Sequence, residues 1–93
     1  LIIFNQFIWM SPMTTAHIES IRSLVTGLAA QLGDHQAITD SEPLFTSGRL
    51  DSFTMMQLVM QLETQFGIDF AKLEFDVTLV DSLQAIAELV SAS

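Results

Sequence analysis

The stretch that decides the fold of this chain is residues 48–63, GRLDSFTMMQLVMQLE, where a loop ends and a strongly apolar helix begins. Gly48 favours a turn at the end of the loop. The acid Asp51 then precedes the small hydroxyl residue Ser52 and the large apolar residue Phe53. We expect this order to expose the Ser52 hydroxyl where the helix starts, with Phe53 anchoring the turn beneath it.

The helix that follows is predicted to run from about Ser52 to Phe66 and to end at Gly67. Its apolar residues favour a helix with one broad core face and one wet face. We expect the core face to hold Phe53, Met56, Val59, Met60 and Phe66, widened by Leu58 and Leu62. We expect Thr54, Gln57, Gln61 and Thr64 to line the wet face.

Helical periodicity also marks the segments on either side. A first helix should end at Gly33-Asp34, and a short third helix is expected over residues 70–75, with Leu73 as its core contact. The first helix has a one-sided row of apolar residues formed by Ile18, Ile21, Leu24, Val25, Leu28 and Leu32. The last helix has such a row formed by Leu83, Ile86, Ala87 and Val90. No segment alternates convincingly with period two, so the sequence predicts an all-α fold with three long helices and one short helix.

The loop from His35 to Asp51 is long for a compact domain, and such loops are usually functional or fixed to the core. Leu44 and Phe45 are the two large apolar side chains in its middle, so we expect them to anchor the loop.

Composition limits the classes of function. Ninety-three residues, 49% of them hydrophobic, suffice for one small folded domain. The formal net charge of −8 makes nucleic-acid binding very unfavourable. The chain has no cysteine, so any thiol chemistry must come from an attached cofactor. This composition is compatible with a cytoplasmic location.

Residues 48–53 and their surroundings resemble the attachment site of acyl carrier and peptidyl carrier proteins, in which Asp-Ser precedes Leu, Met or Phe. The resemblance extends from about residue 13 to the C-terminus and includes Leu44-Phe45, Gly48, Leu58-Val59-Met60, Leu62-Glu63 and Phe66-Gly67-Ile68. It implies an acyl-carrier-protein-like four-helix bundle over residues 13–93. It also implies that Ser52 receives a covalent 4′-phosphopantetheine arm from coenzyme A through a phosphopantetheinyl transferase. Asp51 would assist by holding a Mg²⁺ ion for that transferase.

The sequence departs from that of fatty-acid carriers in two ways, and both indicate which type of carrier it resembles. Fatty-acid carriers usually place acids on the outer face of the second helix, whereas the matching positions here are the neutral Thr54, Gln57, Gln61 and Thr64. In addition, Arg49-Leu50 separates Gly48 from Asp51, where fatty-acid carriers usually have one residue. The pattern is closer to D-alanyl carriers and stand-alone carriers of specialised pathways. The expected partners are therefore dedicated acyl- or aminoacyl-activating and transfer enzymes.

Residues 1–12 are expected to form an apolar extension outside the domain. Their apolar run is shorter than the roughly 20 residues of a membrane-spanning helix. They also contain no Lys or Arg, which a secretory signal would carry.

Two alternatives use the same residues differently. A serine hydrolase would need Ser52 to be activated by a histidine, and the chain contains only His17 and His35, with no Gly-x-Ser-x-Gly elbow. An unmodified helical protein–protein interaction module would keep the fold but lack the arm. The acids show no metal-ligand spacing, so we expect no metal site in the domain itself. The carrier interpretation thus predicts a monomer without catalytic activity of its own.

Overall fold

The computed structural model describes the backbone of residues 13–92 and the side chains of residues 17–92. Within this part the protein contains three α-helices: α1 (Met13–Gln31), α2 (Ser52–Phe66) and α3 (Leu83–Ala92). Two short 3₁₀ turns, Phe70–Lys72 and Val77–Leu79, connect α2 to α3. No strand is present among the described residues, so the all-α prediction is confirmed. The predicted N-terminal extension lies outside the described residues.

The ends of the helices follow local chemistry. After α1, Gly33 adopts a positive φ of 79°, and after α2, Gly67 adopts a φ of 70° and donates its N–H to the carbonyl of Glu63 at 3.1 Å. These left-handed conformations suit glycine, which has no Cβ to clash. At the start of α3, the Ser82 hydroxyl accepts the N–H of Ala85 at 3.0 Å and so acts as a cap. The predicted ends of α1 and α2 are thereby confirmed.

The core lies between the three helices and is closed by the loop that joins α1 to α2. This loop contributes Leu44, which is fully buried, while Phe45 packs against the core from the side. Both predicted anchors are confirmed. The helical core residues are Ile21, Val25, Leu28, Ala29, Leu58, Leu62, Leu83, Ile86, Ala87 and Val90.

The predicted core face of α2 was wrong at three positions, whereas Val59 and Phe66 pack against the core as expected. Phe53 and Met56 are each 64% exposed and Met60 is 63% exposed, whereas Leu58 and Leu62 are fully buried. The expected wet-face residue Thr54 is also fully buried. Both faces of this helix are rich in large apolar side chains, and the buried face follows the i, i+4, i+8 row that starts at residue 54.

Two smaller expectations were also wrong. Leu32 is 45% exposed because α1 ends one residue before it. In place of one short helix over residues 70–75, Asp69 and Asp76 each cap a separate 3₁₀ turn, with side-chain bonds to the N–H groups of Ala71 and Thr78. Two caps so close together leave no room for an α-helix between them. The core contact of the first turn is Phe70, whereas Leu73 is 37% exposed.

Candidate functional site

The loop turns sharply just before α2. Gly48 has a φ of 82° and donates its N–H to the carbonyl of Phe45 at 3.0 Å. Leu50 donates its N–H to the carbonyl of Leu44 at 2.8 Å, and its side chain is almost completely buried. The positive φ requires a residue without a Cβ, which explains the glycine. The closed turn delivers the chain to the first residue of α2 in a fixed direction.

Asp51 is the N-cap of α2, and Ser52 is the first residue of the helix. The Asp51 carboxylate accepts the backbone N–H of Thr54 at 2.9 Å, and the Thr54 hydroxyl accepts the backbone N–H of Asp51 at 2.9 Å. This reciprocal arrangement is a capping box. Asp51, and not Ser52, is therefore the residue that caps α2.

The Ser52 side chain is therefore available for chemistry. Ser52 is exposed, and its hydroxyl makes no hydrogen bond among the described residues. It lies at the N-terminal end of α2, where unpaired N–H groups and the helix dipole favour a negatively charged group such as a phosphodiester. An exposed hydroxyl at this position fits covalent attachment of a phosphate-linked arm.

The carboxyl group of Asp51 is held in its charged form. Hydrogen bonds from the backbone N–H and the hydroxyl of Thr54 lower the pKa of Asp51 below its ordinary value. A carboxylate next to Ser52 is therefore present at neutral pH. One of its oxygens, Oδ1, accepts both Thr54 bonds, so the cap fixes the orientation of this carboxylate.

A second acid holds the loop against α3. Asp81 Oδ1 accepts the N–H groups of Leu44, Phe45 and Thr46 at 3.2, 2.7 and 3.1 Å. Its other oxygen accepts the Thr46 hydroxyl at 2.7 Å. Partial burial raises the pKa of Asp81, but these hydrogen bonds outweigh burial, and the net pKa is lowered. The anchors Leu44 and Phe45 are thus fixed by backbone bonds as well as by packing.

An apolar surface, which sequence reasoning had assigned to the core, begins beside Ser52. We call Phe53, Met56 and Met60 the apolar stripe, because their spacing places them along one exposed face of α2. The stripe borders an apolar groove of about 350 Å³. This groove is lined by Met55, Met56, Val59, Met60, Phe70 and Phe75. One sequence signal could have revealed this surface. The row Thr54, Leu58 and Leu62 supplies the buried face of α2, so Phe53, Met56 and Met60 are not needed for it.

The two histidines give no support to a hydrolase. His17 packs edge-on against Phe66, with ring centroids 5.8 Å apart. Phe66 is the last residue of α2 and Ser52 the first, so the two ends are roughly 20 Å apart at 1.5 Å per residue. His35 is exposed in the loop, and neither histidine bonds to Ser52 among the described residues.

The described part of the chain contains neither a metal-ligand cluster nor a helix that could span a membrane. Residues 13–92 contain no cluster of three or more His, Asp or Glu side chains suited to a metal ion. Over the same range, no helix has both the length and the apolar character needed to cross a bilayer.

Comparison with known protein families gives a match over residues 22–90, to the family described as phosphopantetheine attachment site. The match covers most of the chain, and the chain therefore belongs to this family. Searches of the curated proteins and of the solved structures found no match. The domain is thus a carrier whose cofactor is a covalently attached 4′-phosphopantetheine, and carrier domains of this kind are not catalytic themselves.

Proposed function

We propose that Ser52 is the attachment residue and that the arm carries an acyl or aminoacyl group as a thioester. The observation that supports this most directly is the exposed, unbonded Ser52 hydroxyl at the start of α2. In the transfer, Ser52 Oγ forms a bond to the coenzyme A phosphorus that bears pantetheine. The bond from that phosphorus to adenosine 3′,5′-bisphosphate breaks, and the serine proton passes to a base of the transferase.

Asp51 is the auxiliary residue in this proposal. Its lowered pKa keeps a carboxylate beside the attacking hydroxyl, where it would help to hold the Mg²⁺ ion brought by the transferase. A divalent cation favours carboxylate oxygens and would offset the charge of the pyrophosphate. The same carboxylate caps α2, so one side chain would serve both the helix start and the transfer.

The cargo would be held on the terminal thiol of the arm, because the chain itself has no cysteine. The apolar groove beside the stripe offers a lining for an aliphatic or aromatic acyl group, and none of its six lining side chains is polar. This lining favours a cargo with an apolar part over a strongly charged one.

The partners are proposed to be dedicated acyl- or aminoacyl-activating enzymes of a specialised pathway. In fatty-acid carriers, basic enzymes of elongation bind acids along the matching helix. In this chain the stripe beside Ser52 is apolar, and Glu63 is the one acid of α2. An exposed apolar row next to the attachment residue fits a partner with a complementary apolar patch. Charge would contribute mainly to the rate of encounter.

Attachment is tested by intact-mass analysis of the full chain after incubation with coenzyme A, Mg²⁺ and a broad-specificity phosphopantetheinyl transferase. We expect one added arm, located at Ser52 by peptide mapping. Ser47→Ala and Ser82→Ala are matched controls, because their hydroxyls are engaged with the carbonyl of Pro43 and the N–H of Ala85. Modification at another serine would refute the assignment, and no modification would favour the unmodified interaction module.

Partner choice is tested by loading the modified protein with three enzymes: a malonyl transferase, a D-alanine-activating ligase and an aryl-acid-activating ligase. We expect slow loading by the malonyl transferase and faster loading by at least one ligase. Met56→Glu should then slow that ligase roughly 5- to 30-fold, the range for losing a moderate interface contact. Gln61→Glu is the matched control, because it adds the same charge at an exposed position outside the stripe. Rapid malonyl loading of the unaltered protein would contradict the specialised-carrier proposal.

A further inference from the structure

Arg49 lies in the turn that leads into α2, between Gly48 and Leu50, and its side chain is only 12% exposed. A guanidinium group has five N–H donors in a fixed planar arrangement. A charged group at this depth is costly unless it is paired and hydrogen-bonded. The partners of Arg49 therefore reveal what the residue does.

All five donors are used within the loop. Asp34 receives two of them, at 2.8 Å from Nε and 3.3 Å from Nη2. Glu42 receives one from Nη1 at 2.8 Å, and Nη1 also donates to the carbonyl of Ala37 at 3.0 Å. The last donor, on Nη2, goes to the carbonyl of Gln36. We call this set of contacts the Arg49 clamp.

The saturated clamp excludes one obvious function for Arg49. An arginine close to Ser52 could be expected to bind the phosphate of the arm, because guanidinium and phosphate pair well. Here no N–H donor of Arg49 is left for such a contact without breaking an existing bond. The hydrogen bonds that Arg49 donates to Asp34 and Glu42 also raise the pKa of Arg49, so its charged form is favoured.

The clamp joins the end of α1 to the start of α2. Asp34 donates its own N–H to the carbonyl of Ala29 in the last turn of α1 at 3.0 Å, so it is fixed to that helix. Arg49 is fixed to the turn just before the cap Asp51. The side chain of Arg49 therefore links the serine-bearing turn to the end of α1.

Stability alone does not explain such a cluster. Partly buried ion pairs contribute little net stability, because desolvation of the charges offsets their attraction. In some proteins such pairs select one geometry among several, and this is the role considered for Arg49. A turn with several geometries would present Ser52 correctly for only part of the time, and its apparent affinity for an enzyme would fall by that fraction.

We infer that Arg49 is a positioning residue, which holds the Ser52 turn in the geometry that the phosphopantetheinyl transferase binds. This inference rests on the proposed attachment at Ser52. Arg49 acts through the backbone of residues 49–51 and does not touch the reacting atoms. The group transfer itself is the one written above, and Arg49 changes neither the bonds made nor those broken.

The test compares Arg49→Gln, Arg49→Lys and the unaltered full chain as substrates of a broad-specificity transferase with coenzyme A and Mg²⁺. We expect KM for the carrier to rise roughly tenfold in Arg49→Gln, if the competent turn is populated about one-tenth of the time, with kcat retained. Arg49→Lys should be nearly as impaired, because an ammonium cannot reproduce the five-donor fork.

Arg22→Gln is the matched control. Arg22 bonds to the carbonyl of Ile38 and to Asp40, so it holds the same loop from α1 without touching the turn before Ser52. Its KM should remain within about twofold of the unaltered protein. Amide hydrogen exchange supplies a second readout: in Arg49→Gln, exchange should accelerate at Leu50 and stay unchanged at Leu58 and Leu62 in the buried part of α2.

Each other outcome is decisive. An unchanged KM in Arg49→Gln, full activity of Arg49→Lys, or an equal rise in Arg22→Gln would overturn the positioning role. Faster exchange along the whole of α2 would show that Arg49 only stabilises the fold, and would also overturn it. If the unaltered protein gained no arm at all, the proposed attachment at Ser52 would fail, and this inference with it.

Discussion

Ser52→Ala and Thr54→Val each remove one hydroxyl from the first turn of α2, and the structure predicts opposite results. The Ser52 hydroxyl is exposed and unbonded, so Ser52→Ala should change the free energy of unfolding by no more than about 0.5 kcal/mol. The Thr54 hydroxyl is buried and accepts the Asp51 N–H at 2.9 Å, and its one proton is shared between the Asp51 carbonyl at 2.8 Å and Asp51 Oδ1 at 3.0 Å. Thr54→Val keeps the volume of the side chain but loses these bonds, at a cost of about 1–2 kcal/mol.

The two expected losses of stability differ enough to be distinguished by thermal unfolding. For a domain of this size, 1 kcal/mol shifts Tm by about 4–8 °C. Thr54→Val should therefore lower Tm by roughly 5–15 °C, while Ser52→Ala should lower it by less than about 4 °C. The two variants should also differ in chemistry: Ser52→Ala should gain no phosphopantetheine, and Thr54→Val should still accept it.

The assays are thermal and urea unfolding followed by circular dichroism, with intact mass to score the arm. Thr54→Ser is the control that keeps the hydroxyl and loses only a methyl group, so its stability should lie between those of Thr54→Val and the unaltered protein. The reasoning is refuted if Ser52→Ala destabilises the protein as much as Thr54→Val does. Uptake of the arm by Ser52→Ala would refute the attachment residue instead.

Three further predictions follow from burial, from a lowered pKa and from the domain limits. Leu58→Ala should cost about 2–5 kcal/mol because Leu58 is fully buried, whereas Met56→Ala should stay within about 0.5 kcal/mol; urea unfolding would contradict the corrected helix face if the two costs were alike. Because the folded pKa of Asp81 is lowered, its stabilisation is present above the ordinary value of 3.8 and is lost as pH falls through the folded pKa, so Asp81→Asn should weaken the pH dependence of Tm below about pH 4. A chain that starts at Met13 should melt within a few degrees of the full chain, and a large loss of Tm would show that residues 1–12 are part of the folded core.

The parts of the fold that sequence predicted well depend on local chemistry. Gly33 and Gly67 end their helices because each adopts a left-handed conformation that glycine favours. The exposed position of Ser52 was also predicted from a local pattern, but the expected anchor Phe53 is itself 64% exposed, and the Asp51 cap is what fixes the helix start. Local signals of this kind do not depend on how the rest of the chain packs.

The face of α2 could not be predicted in this way, because it depends on which of two apolar rows meets the other helices. Phe53, Met56 and Met60 are larger than many core residues, and hydrophobicity alone favours their burial. Thr54 appears polar, but the capping box satisfies its hydroxyl, so burying it leaves no unpaired group. The choice between the two rows is made by hydrogen bonding and by packing against α1.

The Arg49 clamp was hidden from sequence for a related reason. Asp34, Glu42 and Arg49 lie in one loop without helical or strand periodicity, so no local sequence pattern links them. Only the folded loop brings the two carboxylates onto the same guanidinium.

The arrangement around Ser52 separates two kinds of recognition. On the loop side, Asp81 binds the backbone of residues 44–46 and Arg49 pairs with Asp34, so substitutions there should alter how the transferase binds the unmodified protein. On the helix side, Met56 and Met60 are exposed and take no part in fixing the turn, so substitutions there should alter how loading enzymes bind the modified protein. If the proposal is correct, KM for arm attachment and the rate of cargo loading should respond to different residues. A variant of the apolar stripe that slowed both steps equally would show that one surface serves both classes of enzyme.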